Sequence, residues 1–394
     1  MNLTSMMIRR LAATLAVVLT LAPVAHAQSP AWLFNPSYGF PLPGHQAAPS
    51  SASSAGVALA DRWLGETPFE NPAAALPKGM TLQASPLFQR VNRQDVVSLN
   101  RGAKQTMGYP DAASGLFGVG RGRLGLAVFA WQPVLRLEQL SYESGPLLTP
   151  AQVSQQALQR ELHAGVAVSY QLKDALRLGV SGTYVRRDDS YETHEQSGSP
   201  LSGDRTVGFR GNGFGASLGV VYTKDADQPW GSTIGAAIRW DGDLSLKGHA
   251  DENLLTGDTT YAIATTRKSA ISGGVSGRVL VSPSTWIVAG LSRNAAESWS
   301  GFGTREVRSD AGLGFGIGLI WKDAEMPWGV RFGLGQETSP GAREAKSGLA
   351  SAGFNWVSGG VQLDLGVMHR NLAREGGFPR SADDRILATV RVAF

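Results

Sequence analysis

Arg385-Ile386-Leu387-Ala388-Thr389-Val390-Arg391-Val392-Ala393-Phe394 closes the chain, and its alternation decides the fold. Ile386, Ala388, Val390, Val392 and Phe394 fall on one face, while Arg385, Thr389 and Arg391 fall on the other. Successive side chains of a strand point to opposite faces, so this segment is a strand with one greasy side and one polar side. Such a strand suits a wall with lipid outside and a polar or filled interior.

Working outward, the same period recurs. Leu176, Leu178, Val180, Gly182 and Tyr184 alternate with Arg177, Gly179, Ser181 and Thr183. Val361, Leu363, Leu365 and Val367 alternate with Gln362, Asp364, Gly366 and Met368. Read throughout, the chain gives about 14 strands, starting near Met80, Ala112, Arg123, Glu161, Ala175, Thr206, Gly231, Thr260, Ser284, Glu306, Pro327, Ala345, Gly360 and Asp383. An even count is what closure expects. The fold class is therefore all-β: a transmembrane antiparallel up-and-down β-barrel. Short turns near Gly120, Lys173, Ser282 and Ser358 alternate with longer polar segments, as periplasmic turns alternate with external loops, and both termini fall on the periplasmic side. One octapeptide, Lys224 to Gly231, recurs as Lys322 to Gly329, each copy carrying Pro-Trp-Gly; Trp230 and Trp328 read as anchors at the headgroup level.

Composition agrees. The 394 residues include 49 glycines but are only 42% hydrophobic, and no run past the N-terminus approaches the length of a membrane helix. Arg9 and Arg10, the apolar run from Leu11 to Ala22 and the small-residue site Ala25-His26-Ala27 predict a signal peptide over residues 1–27, cleaved after Ala27. The Arg pair lacks the rest of a twin-arginine signature, so export of the unfolded chain is expected. Export combined with two-sided strands points to the outer membrane and its lipid rather than to a soluble sandwich. Cysteine is absent, so closure of the sheet must hold the fold in place of disulfides. The net charge of +4 comes from scattered Lys and Arg with no aromatic-basic cluster, which argues against nucleic acid as a partner.

Residues 28–79 are rich in Pro, Ala, Ser and Gly, and they precede the barrel of residues 80–394. They are either a periplasmic linker or a plug, for which a lumen of about 14 strands has room. Ser54-Ala55-Gly56-Val57-Ala58-Leu59-Ala60-Asp61, followed by Glu70-Asn71-Pro72-Ala73-Ala74, resembles the hatch of the long-chain fatty-acid transporter family (FadL type). In that family a hatch ending in Asn-Pro-Ala precedes a barrel of 14 strands. The resemblance implies that Asn71, Pro72 and Ala73 lie against the barrel interior. It also implies capture of a hydrophobic ligand by external loops, passage to an internal pocket, hatch movement and lateral release through the wall. The mature start, Ser29-Pro30-Ala31-Trp32-Leu33-Phe34, departs from the family pattern. The terminal Phe394 resembles the signal read by the barrel assembly machinery, which is expected as a partner.

Several features are candidates for function. Gly312, Gly314, Gly316 and Gly318 share one face and predict a bare inner wall, as do Gly213, Gly215 and Gly219; glycine inside a strand marks close approach by backbone, hatch or ligand. Arg177, Arg278, Arg331 and Arg391 are expected to point inward near the periplasmic mouth, either pairing with hatch acids such as Asp61, Glu66 and Glu70 or receiving a carboxylate. The segment from Val134 to Arg160 reads as the longest external loop, with Thr149-Pro150 starting a helix over Ala151 to Arg160. Its Leu147, Leu148, Val153 and Leu158 form a candidate capture groove, or pack the loop onto itself.

Neither a His-Glu-x-x-His nor a Gly-x-Ser-x-Gly signature is present. His369 and Asp364 differ in pleat parity and so fall on different faces. No enzymatic activity, cofactor or metal is expected. The expected function is passive uptake of hydrophobic small molecules such as fatty acids or aromatic hydrocarbons. The alternatives are a porin-like channel for polar solutes and a barrel serving as a scaffold for exported proteins.

Overall fold

Alternating side chains build one continuous antiparallel wall. The structure, a computed structural model, describes residues 60, 63–64, 67–74, 79–98, 101–144, 151–196, 203–225, 231–254, 257–293, 295–296, 298–302, 305–308, 311–323, 325–338, 346–373 and 380–394. Its strand segments are β1 Gly79–Ser98, β2 Arg101–Arg121, β3 Leu124–Ser144, β4 Ala151–Lys173, β5 Leu176–Gln196, β6 Gly203–Lys224, β7 Ser232–Asp241, β8 Leu244–Leu254 and β9 Gly257–Arg267. They continue as β10 Ala270–Ser282, β11 Thr285–Arg293, β12 Ser298–Phe302, β13 Arg305–Arg308, β14 Leu313–Lys322, β15 Trp328–Thr338, β16 Lys346–Ser358, β17 Val361–Ala373 and β18 Arg380–Ala393.

The sheet closes because β1 pairs with both β2 and β18. At the seam Met80 N donates to Phe394 O (3.3 Å) and Phe394 N to Met80 O (2.9 Å). Closure leaves no edge, and in lipid each unpaired backbone group costs several kcal/mol. Eight of the segments are halves of four strands: β7 and β8, β9 and β10, β11 and β12, β13 and β14. Unbroken β6 shows this, pairing with β7 along its C-terminal half and with β8 along its N-terminal half. Counted so, the wall has 14 strands, as the alternation predicts.

The four interruptions lie side by side. Gly242 N donates to Phe214 O (2.8 Å) where β7 steps to β8. The neighbouring break is tied to it by Ser269 N donating to Asp243 Oδ1 (2.6 Å). Lys268 N donates to Ser298 O (2.8 Å) at the next. Between β11/β12 and β13/β14 the ladder skips from Arg293↔Leu313 to Ser298↔Arg308.

Burial separates the faces. Leu313, Phe315, Ile317 and Leu319 are exposed, and so are Leu178, Val180, Tyr184, Leu365, Val367, Ile386 and Val390. Ser181, Asn355, Asp364, Met368 and Thr389 are buried on the inner side. Tight turns at Gly122, Asp174–Ala175, Pro283–Ser284 and Gly359–Gly360 mark the end that carries the C-terminus. At that end Trp328 lies 5.2 Å from Trp321 and 6.3 Å from Phe354, ring centre to ring centre, as an aromatic girdle requires; Trp230 lies outside the described residues.

Two expectations are corrected. No helix covers residues 151–160: β4 begins at Ala151, and β3 runs to Ser144, so residues 134–160 are mostly a hairpin extending the wall. Ladder pairing from Val134↔Glu161 out to Ser144↔Ala151 overrides the local capping signal of Thr149-Pro150. The second strand starts at Arg101, well before Ala112, because it continues the ladder with β1.

Candidate functional site: the luminal segment and its charged neighbour

Residues 60–74, in their described part, lie inside the barrel against its inner wall. Pro72–Ala74 make one turn of 3₁₀ helix. Asn71 is fully buried, and its amide Nδ2 donates to Trp63 O (2.8 Å), Val220 O (3.2 Å) and Ala236 O (3.4 Å). Its Oδ1 accepts from Ala73 N (3.1 Å). One side chain thus joins the segment to itself and to the carbonyls of β6 and β7. Only an amide supplies donors and an acceptor together at this reach.

The wall is bared to receive it. A Cβ added at Gly179 would overlap the Pro72 and Ala73 backbone, at Gly219 the Asn71 side chain, at Gly235 the Trp63 carbonyl, and at Gly274 the Trp63 indole. These four glycines lie on β5, β6, β7 and β10, which are successive neighbours in the ring. Trp63 N also donates to Ser276 Oγ (3.2 Å) on β10.

Apolar contacts hold both flanks. Phe69 packs with Ala127, Phe129, Trp131 and Ala167 on β3 and β4, while Ala60 and Leu64 pack with Val288 on β11. The Phe69 ring stacks on Trp131 at 5.4 Å and 13°.

Trp131 links this segment to a cluster of charges. His163 lies against its ring at 5.1 Å, and the Arg239 guanidinium sits over it at 4.8 Å. Buried Glu161 accepts from His163 Nε2 (2.6 Å), Arg187 Nη1 (3.2 Å) and Arg267 Nη1 (2.9 Å). Arg187 Nε also bonds Asp189 (2.9 Å), and Arg239 Nε bonds Asp241 (2.9 Å). Arg239 Nη2 also faces His163 Nδ1. Arginine only donates, so Nδ1 accepts and the proton of a neutral imidazole is assigned to Nε2. Three carboxylates, Glu161, Asp189 and Asp241, then face three guanidinium groups, Arg187, Arg239 and Arg267. Charges this deep need such balance, since an unpaired one would bear its full desolvation cost.

The residues singled out from sequence are distributed as follows. Asn71, Pro72 and Ala73 are at the wall contact just described. Arg177 and Arg278 face inward on β5 and β10, toward the end that carries the C-terminus. Arg331 pairs with Asp364 (3.6 Å) and Arg391 Nε donates to Gln83 Oε1 (3.1 Å), both partners being on the wall. Asp61 and Glu66 lie outside the described residues, and buried Glu70 accepts from Thr67 Oγ1 (3.2 Å).

Gly312, Gly314, Gly316 and Gly318 face inward, but a Cβ on Gly314 would meet Ser292 and Glu337 of neighbouring strands. Gly219, of the second set, meets the luminal segment at Asn71 and Pro72. Gly213 and Gly215 instead make room for the step at Trp240 to Leu244. Leu147 and Leu148 lie outside the described residues; Val153 and Leu158 are on β4. His369 is exposed and Asp364 buried, so that pair stays apart.

Sequence reasoning missed Gly179, Gly235 and Gly274, and the whole charged cluster. A signal for the cluster existed. Glu161 with His163, Arg187 with Asp189 and Arg239 with Asp241 each stand two apart in a strand, which places each pair on one face.

No protein-family model and no curated protein sequence matches the chain. Solved structures do. A FadL homologue of Pseudomonas aeruginosa superposes with a TM-score of 0.63 at 12% identity, over 90% of this chain and 99% of that one. The Pseudomonas putida toluene transporter TodX gives 0.59 at 14%, over 89% and 98%. The Ralstonia pickettii toluene transporter TbuX gives 0.57 at 14%, over 85% and 97%.

The fold is that of the FadL-type barrels. In this barrel Asn71, Pro72 and Ala73 of the luminal segment are seated on the glycine-bared strip of β5 and β6.

Proposed function

We propose that the mature protein sits in the outer membrane and passively takes up hydrophobic small molecules such as long-chain fatty acids or aromatic hydrocarbons, with the segment ending at Ala73 as its hatch. The observation that carries this reading is the Phe69 slot. One aromatic ring of the luminal segment fills a lumen-side niche of Ala127, Phe129, Trp131 and Ala167. A niche that binds a phenyl group of the chain suits a hydrocarbon of like size once the hatch moves, since apolar burial is non-directional. The TodX and TbuX structures, named as toluene transporters, share this fold, which supports the substrate class. External loops capture the ligand, and the row of strand breaks from Gly242 to Gly312 is where the wall is least continuous for lateral release.

Native mass spectrometry with lipid extraction tests the proposal, comparing the mature barrel with a version lacking residues 28–79. Bound fatty acid or hydrocarbon in the intact barrel, with higher ion conductance after deletion, is the expected result. High conductance of the intact barrel would favour a porin-like channel instead. An empty barrel that becomes no leakier on deletion would overturn both hatch and uptake, leaving the scaffold reading.

A further inference from the structure

A basic row crosses the outer face of the wall just beyond its apolar band. The ladder sets Arg160 of β4 opposite Asp188 of β5, Asp188 opposite Arg210 of β6, and Arg210 opposite Lys247 of β8. Arg186 stands two residues below Asp188 on the same face. Arg160, Arg186 and Arg210 have side chains 52%, 49% and 73% exposed, whereas Asp188 is 19% exposed. The carboxylate lies at the centre: Arg186 Nε donates to it at 3.1 Å, Arg210 Nε bonds its other oxygen, and Arg160 Nη2 stands 3.8 Å away.

One acid therefore orients three guanidinium groups without neutralising them, and Lys247 adds a fourth cation. Directly below lie exposed Leu162, Tyr184 and Phe214, the two rings edge to face at 5.7 Å, and then Val166, Val180 and Leu218. On the far side, Glu192 and Asp251 come two outward-facing positions later, about 13 Å along the strands. The positive charge is thus confined to the boundary between acyl chains and headgroups. Guanidinium forks match phosphate oxygens two at a time.

We propose that this row binds the phosphorylated headgroup of a glycolipid in the surrounding outer leaflet, with the acyl chains lying along Leu162, Val166, Val180 and Leu218. The proposal rests on the outer-membrane reading above. The test titrates the mature barrel in detergent with a bisphosphorylated acyl-glucosamine disaccharide (lipid A) and with its dephosphorylated form, reading binding by native mass spectrometry. The Arg160→Gln/Arg186→Gln/Arg210→Gln variant is expected to lose roughly tenfold or more in affinity for the phosphorylated form, each lost charge-assisted bond being worth about that factor. The dephosphorylated form should bind both proteins weakly and alike. Should the triple variant not assemble, Arg210→Gln, the most exposed position, carries the same comparison. Equal binding of phosphorylated lipid by wild type and variant overturns the proposal, and so does displacement of the lipid by inorganic phosphate at equal concentration. Recovery of the protein outside the outer-membrane fraction would instead overturn the placement on which it rests.

Discussion

Asn71 occupies the space that a side chain at Gly219 would need. The two residues are 148 positions apart, yet one is matched to the absence of the other. Gly219→Val should displace the luminal segment while leaving the β6 ladder intact, because the backbone there is ordinary strand. Gly182→Val, on the lipid side with nothing within 4 Å of its Cβ, is the control. Ion conductance in planar bilayers is expected to rise for Gly219→Val and to stay at wild-type level for Gly182→Val. A closed Gly219→Val barrel would mean that the contact does not hold the lumen shut.

Asn71 itself gives a sharper case. Replacing it with Leu keeps the size but takes the side-chain donor from Trp63 O and the acceptor from Ala73 N, while Val220 O and Ala236 O keep their places in the β6–β7 ladder. Buried groups left without a partner cost about 1–3 kcal/mol. Residues 67–74 should then exchange amide hydrogens faster by one to two orders of magnitude, roughly the factor that energy implies. Exchange in β16 and β17, remote from the segment, should not change.

Phe69→Ala empties the slot against Phe129 and Trp131. The loss of a buried Phe ordinarily costs about 3–5 kcal/mol in a closed core. Here the loss falls on the docking of the segment, and thermal unfolding of the barrel in detergent should shift little. If the slot takes substrate, toluene or a short alkylbenzene should bind Phe69→Ala more tightly than wild type, measurable by calorimetry. Unchanged affinity would place the ligand elsewhere.

The wall was legible in the sequence because its physics is local. Leu313, Phe315, Ile317 and Leu319 face lipid wherever the strand lies in the ring, so period-two alternation reveals them without any knowledge of neighbours. The interior was not legible in this way. Gly179, Gly219, Gly235 and Gly274 form one strip only because β5, β6, β7 and β10 are adjacent and in a particular register. Glu161 becomes the shared acceptor of Arg187 and Arg267 only once β4, β5 and β9 surround the same space. Residues 134–160 failed for the opposite reason: Thr149-Pro150 is a sound local signal for a helix start, and the long ladder between β3 and β4 outweighs it.

The charged cluster predicts where the barrel is least tolerant. Glu161→Leu leaves Arg187 and Arg267 facing each other without their common carboxylate, and breaking a buried pair in this way costs about 3–5 kcal/mol. A lower urea midpoint for the folded barrel is expected. Glu161→Gln, which retains an acceptor but not the charge, should fall between Leu and wild type. A Leu variant as stable as wild type would show that water reaches the two arginines.

Phe394 closes the last argument, because its backbone exchanges two hydrogen bonds with Met80 across the seam between β1 and β18. Deleting it removes both bonds and the final lipid-facing ring. In lipid neither freed group on Met80 finds water, so the seam frays from this end. Phe394→Ala keeps the backbone bonds and loses only the ring. Heat-modifiable migration of the barrel, followed over time in outer-membrane preparations, separates the two contributions. Slow assembly of both variants would place the requirement in the ring, as expected if the assembly machinery reads the terminal aromatic. Slow assembly of the deletion alone would place it in the Met80 bonds, and normal assembly of both would show that the terminal residue has neither role.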